Sequence, residues 1–169
     1  PVAAARGGRL MPAVFTTVPD VLFALVQLGH TVLGDVRVYD GPPESETDED
    51  EFLSIGFSRD EDDAAVDGES TDAGNRTSAE TYAVHCLISV ATGDSGPAAV
   101  ADRRARCAQL FGAYASAVRA DPSLGGVLVA GARADIGTFA WIYGPTLTAG
   151  TYAEVEFDIS VQASYLGMS

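Results

Sequence analysis

Tyr152-Ala153-Glu154-Val155-Glu156-Phe157-Asp158-Ile159-Ser160-Val161-Gln162-Ala163 alternates without a break. Ala153, Val155, Phe157, Ile159, Val161 and Ala163 fall on one side; Glu154, Glu156, Asp158, Ser160 and Gln162 fall on the other. A period of two sustained this long is a strand, here with one buried face and one solvated, acidic face. Such a strand needs a sheet to join and a layer to cover its apolar side.

The segments before it supply both. Thr138–Tyr143 reads as part of a hairpin-like pair, and Val127–Ala130 as a short strand entered through the tight connection Ser123-Leu124-Gly125-Gly126. Val100, Arg103, Cys107, Leu110, Phe111, Tyr114 and Val118 recur at helical spacing. That helix opens at Ser95-Gly96-Pro97, where proline's missing donor costs nothing, and stops at Ala120-Asp121-Pro122. Thr81–Val90 alternates Tyr82, Val84, Cys86, Ile88 and Val90 against Ala83, His85, Leu87 and Ser89. Both sides are fairly apolar, which predicts an inner strand covered on both faces.

Nearer the start, Thr17-Val18-Pro19-Asp20 has the form of a capping box, and Leu22, Leu25 and Val26 make a short amphipathic helix ending at Gly29. Val36 and Val38 alternate with Arg37 and Tyr39 in a strand that ends at Gly41-Pro42-Pro43. The order is helix, strand, an insert containing a strand, strand, long helix, three strands. This predicts an α+β fold: one domain over residues 1–169, an antiparallel or mixed sheet with two main helices packed on it.

Charge divides the chain unevenly. Net charge is −14, yet residues 40–72 carry 14 of the 24 acidic side chains and a single cation, Arg59. The remaining 136 residues are nearly neutral at −1. Residues 44–80 read as an acidic, largely loop insertion around one apolar island, Phe52–Phe57, because such flanks bury too little apolar area to offset chain ordering. Residues 1–13 read as a flexible arm. The acidic balance argues against the basic footprint of a nucleic-acid binder. No apolar run is long enough to span a bilayer, since Val21–Leu28 contains Gln27.

Chemistry-bearing residues are few. Gly93-Asp94-Ser95-Gly96-Pro97 and Ala83-Val84-His85-Cys86 imitate the serine and histidine motifs of chymotrypsin-like proteases, but they lie on one strand and the turn after it. Asp63, Asp67 and Gly68 match part of a calcium loop, with Ala65 at a ligand position and no closing Glu. Cys86 and Cys107 sit in apolar patterns as small hydrophobes. His30 and His85 form no metal pair. The expectation is no catalytic residues, no metal and no cofactor. Two clusters remain. Glu154, Glu156 and Asp158 repel one another along one strand face, which suggests a use for negative surface. Arg103, Arg104 and Arg106 form a basic cluster suited either to a solvated face or to salt bridges with acids of another subunit.

Three features in order resemble the tail terminator (tail completion) family of long-tailed bacteriophages. They are the helix over Pro19–Leu28 before strand Val36–Tyr39, the central helix with Arg103, Leu110, Tyr114 and Val118 running into Asp121-Pro122-Ser123-Leu124-Gly125-Gly126-Val127, and the alternating strand Ala153–Val161. The resemblance spans about residues 14–166 and rests on patterns; the acidic insertion is longer than the family leads one to expect. It implies a homohexameric ring that caps the tail tube at the head-proximal end of the virion tail, stops tube polymerisation and meets the head–tail connector protein. Assembly would take place in the host cytoplasm, without a membrane. DNA would pass through the ring without specific binding, along a channel that Glu154, Glu156 and Asp158 line, while Arg103, Arg104 and Arg106 bridge subunits. Two other expectations stand beside it: another head–tail connector or completion protein, and an acidic binding module for a basic partner or cations.

Overall fold

The computed structural model describes residues 16–43, 51–59, 64–74, 77–129, 131–145 and 150–166. In chain order these form helix α1 (Val18–Leu33), strands β1 (Arg37–Asp40), β2 (Glu51–Ile55), β3 (Val66–Gly74) and β4 (Thr77–Thr92), helix α2 (Pro97–Ala120), and strands β5 (Arg133–Pro145) and β6 (Thr151–Leu166). The fold is α+β, with a six-stranded mixed sheet in the order β1-β2-β4-β6-β5.

β4 and β6 are the spine. They pair antiparallel without a register shift from Thr77 opposite Leu166 to Thr92 opposite Thr151. On the other side of β4, two short strands share one lane: β2 faces Cys86–Val90 and β3 faces Thr77–Val84. The chain leaves this lane after Ile55 and returns at Val66, and the gap lies opposite His85. There the His85 carbonyl accepts the N–H groups of Gly56 and Phe57 (2.9 and 3.0 Å), and the His85 N–H donates to Ala65 O (3.1 Å). The backbone pairing of β4 therefore survives the interruption.

Both helices pack on one face of the sheet. Val21, Leu25, Cys107, Leu110, Tyr114 and Val118 join Val84, Cys86, Ile88, Val155, Phe157 and Ile159 in a single buried cluster. Each fully buried aliphatic side chain there stabilises the fold by about 1.5–3 kcal/mol. Tyr114, with no exposed surface, donates its hydroxyl to the Leu25 carbonyl (3.1 Å) and so ties α2 to α1. No described helix is long and apolar enough to cross a membrane.

Several expectations from sequence change here. α1 does not stop at Gly29 but runs one turn further to Leu33. Gly29 is a packing position, since a Cβ there would lie 3.1 Å from Leu53 Cδ2 and Val38 Cγ1. The capping box is not made either. Thr17 makes no side-chain cap; its N–H and hydroxyl both donate to Glu80 Oε2 (2.8 Å each), and the hydroxyl also meets the Tyr82 hydroxyl at 2.9 Å. Buried Glu80 thus brings a carboxylate from β4 to the positive end of α1.

The reading of 44–80 as largely loop is also corrected. β2, β3 and the start of β4 lie within it. β3 owes its place to backbone pairing with a long neighbour, since its sequence, Val-Asp-Gly-Glu-Ser-Thr-Asp-Ala-Gly, has no apolar alternation. Residues 44–50 and 60–63, and the arm 1–13, lie outside the described residues. Val127–Val129 is not a strand but part of the turn-rich connection after α2, and among the described residues two strands follow α2 rather than three. Finally, β4 is an inner strand as expected, but among the described residues no helix covers its second face.

Candidate functional site

The helix-free face is the side of β6 that carries Glu154, Glu156 and Asp158. Register places Ser89, Leu87 and His85 of β4 directly across from them, and continues through Ala83 and Thr81 to Asp67 and Glu69 of β3. On β5 the same face holds Asp135 and Arg133, opposite Ser160 and Gln162. Six carboxylates therefore share one sheet face with the guanidinium groups of Arg133 and, from the chain after β2, Arg59.

Arg59 changes the expected row of open carboxylates. Glu154 is buried (3% exposed) and takes hydrogen bonds on Oε1 from Arg59 Nη2 and from Ser89 Oγ (2.9 Å). Arg59 Nε also lies 3.8 Å from Glu156. Burial pushes the Glu154 carboxyl above the usual glutamate range; Arg59 and Ser89 oppose that, and Glu156 adds to it. Glu154 is thus not solvated as the alternation implied. Glu156 and Asp158 keep more exposure, with side chains 37% and 25% accessible.

Asp158 belongs to a second cluster. His85 Nδ1–H donates to Asp158 Oδ1 (2.7 Å), and the Thr138 hydroxyl donates to Asp158 Oδ2. On the other side of the ring, His85 Nε2 lies 3.6 Å from Asp67 Oδ2 without a hydrogen bond. A cavity of about 230 Å³ opens here, lined by Phe57, Ser58, His85, Thr138, Glu156 and Asp158 among others. Gly137 lets β5 approach at this point, because a Cβ there would come 2.8 Å from Ser160 Oγ. Alternation placed His85 and Asp158 each on the second side of its strand. Only the register of β4 against β6 makes them partners, and sequence does not carry that register.

The arginines of α2 separate in the same way. Arg106, expected between subunits, closes a bidentate pair with Glu51 of its own chain (Nε–Oε1 2.9 Å, Nη2–Oε2 2.7 Å). Glu51 holds the Arg106 guanidinium in its charged form, above the usual arginine range. Arg103 is half-buried, its Nε without a hydrogen-bond partner. Arg104 is exposed and stacks on Tyr143, its guanidinium carbon 4.9 Å from the ring centre. Tyr143 continues an aromatic row along β5 with Phe139 and Trp141, and the latter two surround Phe111 of α2 at 5.7 and 6.0 Å between ring centres. Phe139, Trp141 and Tyr143 are 58%, 37% and 51% exposed.

The geometry also fixes what the isolated motifs can do. Thr92 lies seven residues beyond His85 on extended strand, about 23 Å away, and the next three residues cannot carry the Ser95 hydroxyl back to the imidazole. Burial raises both thiols, Cys107 to about 12 and Cys86 further, so neither is a thiolate nucleophile at neutral pH. Among the described residues no cluster of His, Cys, Asp and Glu has metal-binding geometry. The chain matches no protein-family model, and no curated protein matches it significantly.

Proposed function

We propose that the chain is a ring-forming structural protein of a phage virion, a tail terminator that caps the tail tube and joins it to the head connector. The observation that carries this reading is the one-sided layering of the sheet. Both helices cover one face, while the other face is broad, polar and net acidic. A wall of like charge opposes phosphate adsorption, so DNA slides past without sticking. Within that wall Glu156, Asp158, Asp67 and Glu69 present the charge, and Glu154 anchors the Arg59 segment beneath them. Partners on this reading are further copies of the chain, the tube protein and the connector protein. The ring sits at the head-proximal end of the tail and is assembled in the host cytoplasm.

Light scattering together with negative-stain imaging tests the proposal, on the protein alone and mixed with tail tubes. Hexameric rings with a stain-filled centre, seated on tube ends, are expected. A monomer in both preparations, with tubes growing past their normal length, overturns it.

A further inference from the structure

β3 is held to the sheet mainly by backbone bonds. Among the described residues it pairs only with β4, Val66 is half-buried, and residues 67–71 are exposed. A strand with so little apolar burial opens locally at low cost. Where it begins, it meets His85. The His85 N–H donates to Ala65 O (3.1 Å) just before the strand. Asp67 pairs with Ala83 of β4, which sets it one diagonal step from His85 on the helix-free face.

The imidazole stands between two carboxylates from different strands. Nδ1–H donates to Asp158 Oδ1 on β6 (2.7 Å), and Asp67 Oδ2 on β3 lies 3.6 Å from Nε2. With its one proton on Nδ1, the neutral ring turns the lone pair of Nε2 toward that oxygen, acceptor against acceptor. Nε2 is shielded from solvent and has no hydrogen-bond partner among the described residues. A second proton, on Nε2, removes the conflict. The ring then becomes a cation with a donor aimed at each carboxylate. The Asp67 side chain, 66% exposed, has room to close to an ordinary charge-assisted length of about 2.7–2.9 Å.

We propose that His85 is a proton-operated latch: its imidazolium ties Asp67 of β3 to Asp158 of β6 across β4, and deprotonation loosens β3. Imidazole is the side chain whose charge ordinarily changes between pH 5 and 8. The sign follows from linkage. Closed β3 offers the second proton a carboxylate that open β3 does not, so closure takes up protons and strengthens as pH falls. The charges facing the ring side favour that proton. β3 brings Asp67 and Glu69, β6 brings Glu156 and Asp158, and β5 brings the uncharged Thr138 with Asp135 and Arg133 further along. Arg59, from the chain after β2, is engaged by Glu154 and Glu156. Glu154, whose carboxyl burial pushes upward, also responds to pH, but it bonds Arg59 and Ser89 and not β3. The latch sets how firmly the β3 acids are held on the helix-free face, whatever the chain assembles with.

Hydrogen exchange on the full chain tests the latch, read at the amides of residues 67–71 and corrected for intrinsic rate, between about pH 8 and about pH 5.5. Protection of β3 is expected to rise about two- to fivefold as pH falls, the range for an ion pair with one partner largely exposed. Asp67→Asn, at an exposed position, should keep the fold and give the neutral ring a donor from its side-chain amide. β3 of that variant should be equally protected at both ends of the range. Imidazole nitrogen chemical shifts provide a second measurement, and at about pH 8 they should show the proton on Nδ1. Wild-type β3 protection that is flat with pH, a rise that persists in Asp67→Asn, or a neutral ring protonated on Nε2 each overturns the latch.

Discussion

The two faces of the sheet are made by the same strands yet hold together by different physics. On the helix side, Val84, Cys86, Ile88, Val155, Phe157 and Ile159 are dry and pack against α1 and α2. On the other side, one residue along in each strand, Ser89, His85, Glu154 and Asp158 are partly or wholly buried and hold one another by hydrogen bonds and charge. Stability on the first face scales with apolar area removed from water. On the second it depends on each charged group keeping its partner, because an uncompensated buried charge costs more than the pair contributes. The difference implies that truncation should hurt most on the helix side, whereas removing only one member of a pair should hurt on the other.

The largest effect is expected at Tyr114. Tyr114→Ala empties a fully buried ring site beside Phe157 and removes the hydroxyl that bonds Leu25 O. A loss of about 3–5 kcal/mol by urea denaturation follows from cavity formation. Tyr114→Phe isolates the hydroxyl and should cost about 0.5–1.5 kcal/mol, because the Leu25 carbonyl, in mid-helix, keeps its intrahelical donor. If the two variants were equally damaging, the apolar account of this face would be wrong.

Arg59→Ala probes the opposite face. It strands the Glu154 carboxylate with Ser89 alone, and the loss should be about 1–2 kcal/mol. That is less than for a fully buried pair, since the Arg59 side chain is 45% exposed and water screens it. The sign with pH is definite. Glu154 has its folded-state value raised above the ordinary 4.5, so its contribution is fully present below 4.5 and is lost as pH rises through the folded value. Removing Arg59 raises that folded value further. The deficit of the variant should therefore shrink as pH is lowered toward the ordinary glutamate value of 4.5, as read from melting temperatures against wild type. Adding Glu154→Gln to Arg59→Ala should remove that pH dependence. A deficit independent of pH would mean that Arg59 acts by packing.

What sequence could say follows the same division between faces. β6, β4 and α2 were legible because apolar burial imprints a period of two or 3.6 on the chain. β3 was not, because it is held by backbone bonds to β4 and its acidic, glycine-containing sequence carries no such imprint. Gly29 reads as a helix stop by residue type, yet it serves as a close-approach site for Leu53 and Val38. The carboxylates of β6 were legible as a row, whereas their neutralisation was not. Arg59 lies 95 positions from Glu154 and His85 lies 73 from Asp158, and only strand register joins them. The Arg103–Arg106 cluster was visible too, but whether each arginine is satisfied within the subunit depended on where Glu51 and Tyr143 fell.

The smallest effect should belong to the pair where both faces' rules meet, His85 and Asp158. Both side chains are about a quarter accessible, so water limits the cost of breaking their contact. Asp158→Asn keeps one acceptor oxygen for the imidazole Nδ1–H and turns its amide NH2 to donate to the Thr138 hydroxyl, and should cost less than His85→Ala, which leaves a carboxylate with Thr138 alone. In a double-mutant cycle the coupling should be about 0.5–1.5 kcal/mol, the range for a charge-assisted bond that remains partly solvated. The pair also pins the lane gap, because the backbone of His85 bonds Gly56, Phe57 and Ala65. His85→Ala keeps those backbone groups, so hydrogen exchange at the Gly56 and Phe57 amides separates the two roles. Protection that persists while stability falls assigns the loss to the imidazole–carboxylate bond. If protection vanishes, the side chain is what holds the Arg59 segment onto the sheet, and the charged face is then a single cooperative unit rather than two independent pairs.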